Sequence, residues 1–417
     1  MKILHITTNT SGGAATACIW LHQGLLDEQI HSRVLCLKDY AHVAAAVPGI
    51  REFAGGPVRS IIRKGKYWLY EQVLNYKLRN QPPGFEIFST IRTLYDITKH
   101  PAYKEADIIH LHWVARFMDF SSFFRVNKKP VVWTMHDMFP FTGGCHHSDG
   151  CKGFERDCAN CPQLQGCPDE SLAFHQLAAK KESMESANDI HIVTPSEWLG
   201  QLSKKSALFQ KYPHSVIANG FPVDTFRPGN QQRARQKLGL PADKKIILFV
   251  SHSVGNIRKG MPLLLDALKK VTTPDLLLVS VGKEDVFSTS LPIQKLGTIA
   301  SPSRIALAYQ AADVFVLPSL AENLPNTIAE ALLCGTPAVA FGVGGIPEMI
   351  TDGENGYVCP PGNPLSLAAA IDRFFENKAA FNPEEIHSKA SEKYGLKGRI
   401  KKYIRLYNTE LSFRSGN

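Results

Sequence analysis

Residues able to do chemistry concentrate between positions 318 and 337. They read Pro318-Ser319-Leu320-Ala321-Glu322-Asn323-Leu324-Pro325-Asn326-Thr327-Ile328-Ala329-Glu330, closed by Cys334-Gly335-Thr336-Pro337. Val314–Leu317 ahead of them is an apolar run of strand type, and Ala329–Cys334 reads as the body of a helix. Pro325 suits that helix's first position, where a missing N–H costs nothing. Gly335 ends the helix and Pro337 stops its continuation. The amides of Asn326 and Thr327 then sit at a positive helix end, a place that binds an anion such as a diphosphate. Glu322 and Glu330 are hydrogen-bond acceptors suited to pairs of sugar or ribose hydroxyls. A solvated helix carrying two ordinary glutamates is the plainer alternative.

Three further groups fall at the ends of apolar runs. Asn256-Ile257-Arg258-Lys259-Gly260 follows Ile246–Val250. Arg258 offers a planar fork for phosphate oxygens and Lys259 a compact charge. Alone the pair would be a solvated turn, but ligands of open α/β sheets bind beyond the carboxyl ends of strands. Ser11-Gly12-Gly13 follows Lys2–Thr8 in the same way. Gly12 and Gly13 either admit a phosphate to the backbone or make a tight turn; they do not form the G-x-G-x-x-G of dinucleotide sites. His110 and His112 alternate on one face of a strand. Either one reaches a ligand at the strand's end or both are satisfied core histidines. His136 and Asp137 end the next run and are candidates for the acceptor side.

Two features invite other readings. Cys145, Cys151, Cys158, Cys161 and Cys167 cluster with His146 and His147. One C-x-x-C pair plus these spacings allows a tetrahedral structural zinc on Cys145, Cys151, Cys158 and Cys161; packed thiols or a redox disulfide are the alternatives. Arg59, Arg63, Lys64, Lys66, Lys77 and Arg79 surround Tyr67, Trp68, Leu69 and Tyr70. Such a basic, aromatic segment over 59–79 lies on an anionic membrane surface or is a solvated helix with a buried stripe.

The elements that must position these residues alternate in type. Lys2–Thr8, Val34–Leu37, Ile108–Leu111, Val131–Thr134, Ile190–Thr194 and Val216–Ala218 are apolar runs separated by helical stretches such as Ala14–Leu26. After Asn219-Gly220-Phe221-Pro222 a second series begins: Ile246–Val250, Leu276–Val281, Ile293–Leu296, Val314–Leu317 and Ala338–Phe341. Alternation of this kind predicts α/β architecture with parallel sheets covered on both faces. The expected domains are 1–220, with a Cys-rich insertion at about 143–168, then 221–390, then a helical tail 391–417. Ile400, Tyr403, Ile404 and Tyr407 give Ser391–Leu411 one apolar helical stripe.

Bulk properties agree. The 417 residues are enough for two cores, and a formal charge of +9 favours phosphorylated ligands, an anionic membrane or nucleic acid. No run of about 18 apolar residues is present to span a bilayer. The start MKILHITTNT lacks a signal-peptide pattern, so a cytoplasmic protein, peripheral at most to the inner membrane face, is expected.

Asn219-Gly220-Phe221-Pro222-Val223-Asp224-Thr225-Phe226-Arg227-Pro228, Arg258-Lys259-Gly260, Glu322 with Glu330 eight positions on, and Cys334-Gly335-Thr336-Pro337 together resemble the family-4 retaining glycosyltransferases. The resemblance covers nearly the whole chain and is densest from 217 to 362. The stretch from Gly144-Cys145 to Cys161-Pro162-Gln163-Leu164 is similar to a bacterial exopolysaccharide branch of colanic-acid type. The resemblance implies a GT-B fold: two Rossmann-like domains facing across a cleft, and a last helix crossing back to the first. It implies transfer of a hexose-type sugar, with retention, from a UDP-sugar or GDP-sugar to a glycan or lipid-linked acceptor.

In that reading Glu330 holds the ribose, Glu322 the donor sugar, and Arg258 and Lys259 the departing diphosphate. Gly12 and Gly13 approach the same diphosphate, His112 lies beside the sugar, and Thr298 and Ile299 lie near the base. Asn323-Leu324-Pro325-Asn326 departs from the glycines and aromatic frequent in the family, and Pro325 removes one amide donor. No D-x-D motif occurs, so no metal cofactor is expected for catalysis. The rivals are an epimerase or phosphorylase on the same fold, and a zinc-stabilised nucleic-acid binder. The last would leave Glu322 and Glu330 without a purpose, and no nucleic-acid partner is expected.

Overall fold

The computed structural model describes residues 1–39, 43–53, 57–82, 87–254, 256–283 and 292–415. The chain divides into two compact units, Met1–Ile217 with Ile400–Asn417, and Ala218–Arg399.

In the first unit the strands are β1 (Lys2–Asn9), β2 (His31–Lys38), β3 (Ile50–Glu52), β4 (Ile108–Leu111), β5 (Val131–Thr134), β6 (Ile190–Thr194) and β7 (His214–Val216). They form one sheet in the order β3-β2-β1-β4-β5-β6-β7, parallel throughout. Every residue of β4 and β5 is buried, the pattern of strands covered on both faces. In the second unit β8 (Lys245–Ser253), β9 (Leu276–Lys283), β10 (Ile293–Lys295), β11 (Val314–Leu317), β12 (Ala338–Phe341) and β13 (Gly356–Cys359) make a parallel sheet in the order β10-β9-β8-β11-β12-β13. Both units are therefore Rossmann-like, as the alternation predicts.

Strand order decides where a ligand can sit. Each sheet reverses direction once, between β1 and β4 in the first and between β8 and β11 in the second. The loops leaving those strands diverge to opposite faces and open a crevice at the carboxyl edge.

The differences from the sequence reading are local. Two strands were passed over, β3 and β13, because each is a short edge strand without a long apolar run. The strand expected at Val216–Ala218 lies at His214–Val216. Pro325 is the N-cap rather than the first helical residue, and the helix runs Asn326–Leu333. The single helix expected over Ser391–Leu411 is two, Pro383–Tyr394 and Leu396–Ser415. They part at Gly395 because Phe221 intervenes: its N–H donates to the Tyr394 carbonyl at 2.9 Å and its carbonyl accepts from the Leu396 N–H at 2.9 Å.

The apolar stripe of the last helix is buried all the same, at Ile400, Tyr403 and Tyr407. Polar contacts fix it to the first sheet. The Tyr407 hydroxyl lies 2.6 Å from His110 Nδ1, the Tyr403 hydroxyl 2.9 Å from Thr134 Oγ1, and Glu410 2.9 Å from His191 Nδ1.

Candidate functional site

Both turning points carry the residues picked out by type. In the second unit, β8 leads into the turn Ile257–Lys259 and β11 into the loop 318–325. Arg258 Nη1 donates to the Ala321 carbonyl at 2.7 Å and lies 3.3 Å from Glu322 Oε1. Lys259 Nζ lies 2.5 Å from the same oxygen. The Leu320 N–H donates to the Arg258 carbonyl at 2.8 Å, so backbone as well as charge joins the two loops.

Two glycines allow this closeness. A Cβ on Gly260 would stand 1.8 Å from the Pro318 carbonyl oxygen, and one on Gly344 would stand 1.7 Å from that of Glu322. Both residues also have positive φ, 76° and 58°, which side chains disfavour.

Burial alone would raise the pKa of Glu322, but Lys259 and Arg258 outweigh it and hold the carboxyl down at about 2. Glu322 is therefore ionised at any ordinary pH. Two cations and one anion leave a net positive charge at the mouth of the crevice. Next to it the Asn326–Leu333 helix presents its first-turn amides, and Asn326 Oδ1 accepts from Asn219 Nδ2 at 2.9 Å. An anion placed there would meet a guanidinium, an ammonium and a helix N-terminus together.

Glu330 lies one turn further along, half-buried. Burial raises its pKa to about 7, and the Tyr309 hydroxyl, donating to Oε2 at 2.9 Å, opposes the rise. Thr298 is exposed and Ile299 half-buried, just past β10, which stands two strands from β8. The structure does not bring them into the Arg258–Glu322 group.

In the first unit, Gly12 and Gly13 are exposed where β1 gives way to the helix Gly13–Asp27. His110 is a core residue: Tyr407 takes its Nδ1, and Thr134 lies 2.8 Å from its Nε2. His112, two residues on, is different. Its Nε2 lies 3.0 Å from His5 Nδ1 and its Nδ1 3.3 Å from His136 Nε2. Burial, then the neighbouring imidazoles, hold its pKa well below the usual histidine range, so its ring is neutral. Burial also lowers His136, to about 4, against the pull of Asp137.

Asp137 accepts from Trp113 Nε1 at 2.7 Å, His146 Nδ1 at 2.6 Å and the Phe139 N–H at 3.0 Å. With three donors on its carboxylate, it anchors the loop after β5.

Among the described residues one group has three ligand atoms within 4.8 Å of one another, His5, His110 and His112. The nitrogens of His110 and His112 are already hydrogen-bonded, so the group reads as a chain of neutral imidazoles.

Sequence reasoning did not find His5, which touches His112, or Tyr309, which touches Glu330. A polar residue inside the apolar run of β1 is a signal for His5. Nothing in the helix Pro302–Ala311 marks Tyr309.

Comparison with known proteins bears on the second unit first. Residues 230–395 match the family model of glycosyl transferases group 1. Arg258, Lys259, Glu322 and Glu330 all lie inside this group 1 segment. The D-inositol 3-phosphate glycosyltransferase of Mycobacteroides abscessus is 30% identical over 179 residues, 40% of this chain and 40% of that protein. Its namesake from Mycobacterium leprae is 32% identical over 180 residues, 39% of this chain and 41% of that protein. The chain thus spans about 40% of the length of the curated relatives it matches.

Whole-chain likeness is to solved structures. Anabaena Alr3699/HepE, in complex with UDP and glucose, superposes with TM-score 0.66 at 19% identity over 98% of this chain and 99% of its own. Sucrose-phosphate synthase from Thermosynechococcus elongatus gives 0.66 at 17% identity over 99% and 100%. The fold is the GT-B one, with two Rossmann-like domains. The likeness to glycosyl transferases group 1 is confined to the 230–395 segment.

Proposed function

We propose that the protein is a glycosyltransferase that moves a hexose-type sugar, with retention, from a nucleoside diphosphate sugar to a glycan or lipid-linked acceptor in polysaccharide biosynthesis. The observation that carries this reading is the Arg258–Lys259–Glu322 group at the turning point of the second sheet, inside the group 1 segment. Glu322 pairs with both cations. A diphosphate competes for them, and Glu322 is then released to accept hydroxyls of the donor sugar. Negative charge grows on the diphosphate as it leaves, and preorganised cations and amides stabilise that state most.

Glu330 accepts the ribose hydroxyls, and the amides of Asn326 and Thr327 meet the phosphates. In the first unit Gly12 and Gly13 take the diphosphate and neutral His112 the sugar, with His5 and His136 fixing its ring. Thr298 and Ile299 line the base. Asp137 holds the loop on the acceptor side. The chain has no D-x-D motif, and turnover proceeds without added Mg²⁺ or Mn²⁺.

The test is thermal shift against UDP, GDP, ADP and CMP, followed by product analysis with the matching sugar nucleotide. A single diphosphate stabilises the protein, and sugar transfer requires acceptor. Stabilisation by none, or turnover of the sugar nucleotide to an epimer without acceptor, would sink the reading.

We also assign the lipid-facing side to the helix Pro57–Lys77. Trp68 and Leu69 are 63% and 58% exposed on it. A groove of about 280 Å³ lies between this helix and Leu172–Ser183, lined by Tyr70, Val73, Leu74, Lys77, Arg92 and His175 among others. The side chains of Arg59, Arg63, Lys64, Lys66 and Tyr67 lie outside the described residues. Lys77 is paired with Asp169 at 2.8 Å. Among the described residues no helix is long and apolar enough to cross a membrane. At about 1 kcal/mol per basic residue, replacing Arg59, Arg63, Lys64 and Lys66 by glutamine should weaken binding to phosphatidylglycerol vesicles by on the order of 10³-fold. Unchanged co-sedimentation with such vesicles would remove the assignment.

A further inference from the structure

The loop between β5 and the helix Leu172–Ser183 carries five thiols that sugar transfer leaves unused. Its secondary structure is three short 3₁₀ turns, Phe139–Phe141, Gly153–Glu155 and Pro162–Leu164, and an antiparallel bridge of Cys145 to Phe88. Four of the five, Cys145, Cys151, Cys158 and Cys161, line one cavity of about 20 Å³, room for a single small ion. All are reduced.

Two of the sulfurs accept hydrogen bonds from backbone amides. The Gly143 N–H donates to Cys158 Sγ at 3.2 Å, and the Gly153 N–H to Cys151 Sγ at 3.3 Å. Donors aimed at a buried sulfur stabilise negative charge there, which a neutral thiol does not need.

Lys180 supplies an independent observation. It is fully buried, and its Nζ donates to the carbonyls of Phe139 and, at 2.8 Å, Thr142. The adjacent His146 is not available as a ligand, since Asp137 and Ser89 take its two nitrogens at 2.6 and 2.9 Å.

We propose that Cys145, Cys151, Cys158 and Cys161 bind one structural Zn²⁺ that closes this loop over the first unit. Four sulfur donors select a soft-tolerant tetrahedral ion. Binding expels the four thiol protons to solvent, and four thiolates on a dication leave a centre of net charge −2 beside the Lys180 ammonium. Among the described residues only the His5 group has three ligand atoms within 4.8 Å of one another, so no three of the four sulfurs lie that close. Loading therefore draws them inward to Zn–S distances of about 2.3 Å. The zinc is a cross-link and takes no part in sugar transfer, so the proposal stands apart from the function argued above.

Elemental analysis of the full chain, made untagged in zinc-supplemented medium, should find about one equivalent of zinc that dialysis retains. Cys151→Ser and Cys161→Ser should lose it, and Cys359→Ser, in the other unit, should keep it. Cobalt loading of the wild-type chain should give thiolate-to-metal charge-transfer absorption, a readout that needs no variant to fold. Less than about 0.1 equivalent of zinc, a native mass lowered by disulfide formation, or zinc kept by the cysteine variants and lost by His5→Gln would each overturn the assignment.

Discussion

Replacing Arg258 by alanine lowers turnover by about 10²- to 10³-fold, the usual cost of losing one preorganised group that faces developing charge. The fold survives. Arg258 contributes one hydrogen bond to the Ala321 carbonyl and a 3.3 Å contact to Glu322, while Lys259 remains on Glu322 at 2.5 Å. Its backbone link to Leu320 is untouched by the substitution. Circular dichroism and melting temperature should stay near wild type while kcat falls. Arg258→Lys should recover part of the rate, because it restores charge without the planar fork. A near wild-type rate for the alanine variant would take Arg258 out of the site.

Donor affinity should fall about tenfold between pH 8 and pH 6. Glu330 has its carboxyl raised to about 7 by burial, against the Tyr309 hydrogen bond. The ionised share drops from about nine-tenths to about one-tenth over that range, and only the carboxylate accepts two hydroxyls. Stability carries the opposite sign. The folded chain holds this proton more tightly than the unfolded one, so the contribution is complete below about 4.5 and disappears as pH rises through about 7. Nucleotide affinity thus improves over the window in which this contribution to stability declines.

Tyr309→Phe removes a donor that favours the carboxylate, and the affinity midpoint moves to higher pH. Glu330→Gln flattens the profile. Isothermal titration of the nucleoside diphosphate from pH 5.5 to 8.5 measures all three. A midpoint unmoved by either substitution would show that another group titrates.

Much of the architecture was legible locally. β4, β5, β6, β11 and β12 are short apolar runs, and their bounds match the sequence reading. Gly335 ends the helix after β11, with φ of 74°. Edge strands were harder, since β3 is Ile50-Arg51-Glu52 and owes its conformation to pairing with β2. The break at Gly395 was invisible because Phe221, far away in the chain, makes it.

The candidate site divides the same way. The types of Arg258, Lys259, Glu322 and Glu330, and their places just past strand ends, were readable from composition and spacing. Their partners were not. Glu322 meets Lys259 across 63 positions, and His5 meets His112 across 107.

The amino-acid sequence by itself determined where strands stop, which loops hold charge and which helix end faces a strand's edge. These follow from interactions within a few residues. Tertiary structure alone decided that Glu322 rests on two cations, that His110 belongs to the core while His112 lies between two other histidines, and that burial raises the Glu330 carboxyl against the Tyr309 hydrogen bond. The reason is strand order: β8 lies beside β11 and β1 beside β4, and that adjacency comes from packing two layers of helices on each sheet, which no local pattern encodes.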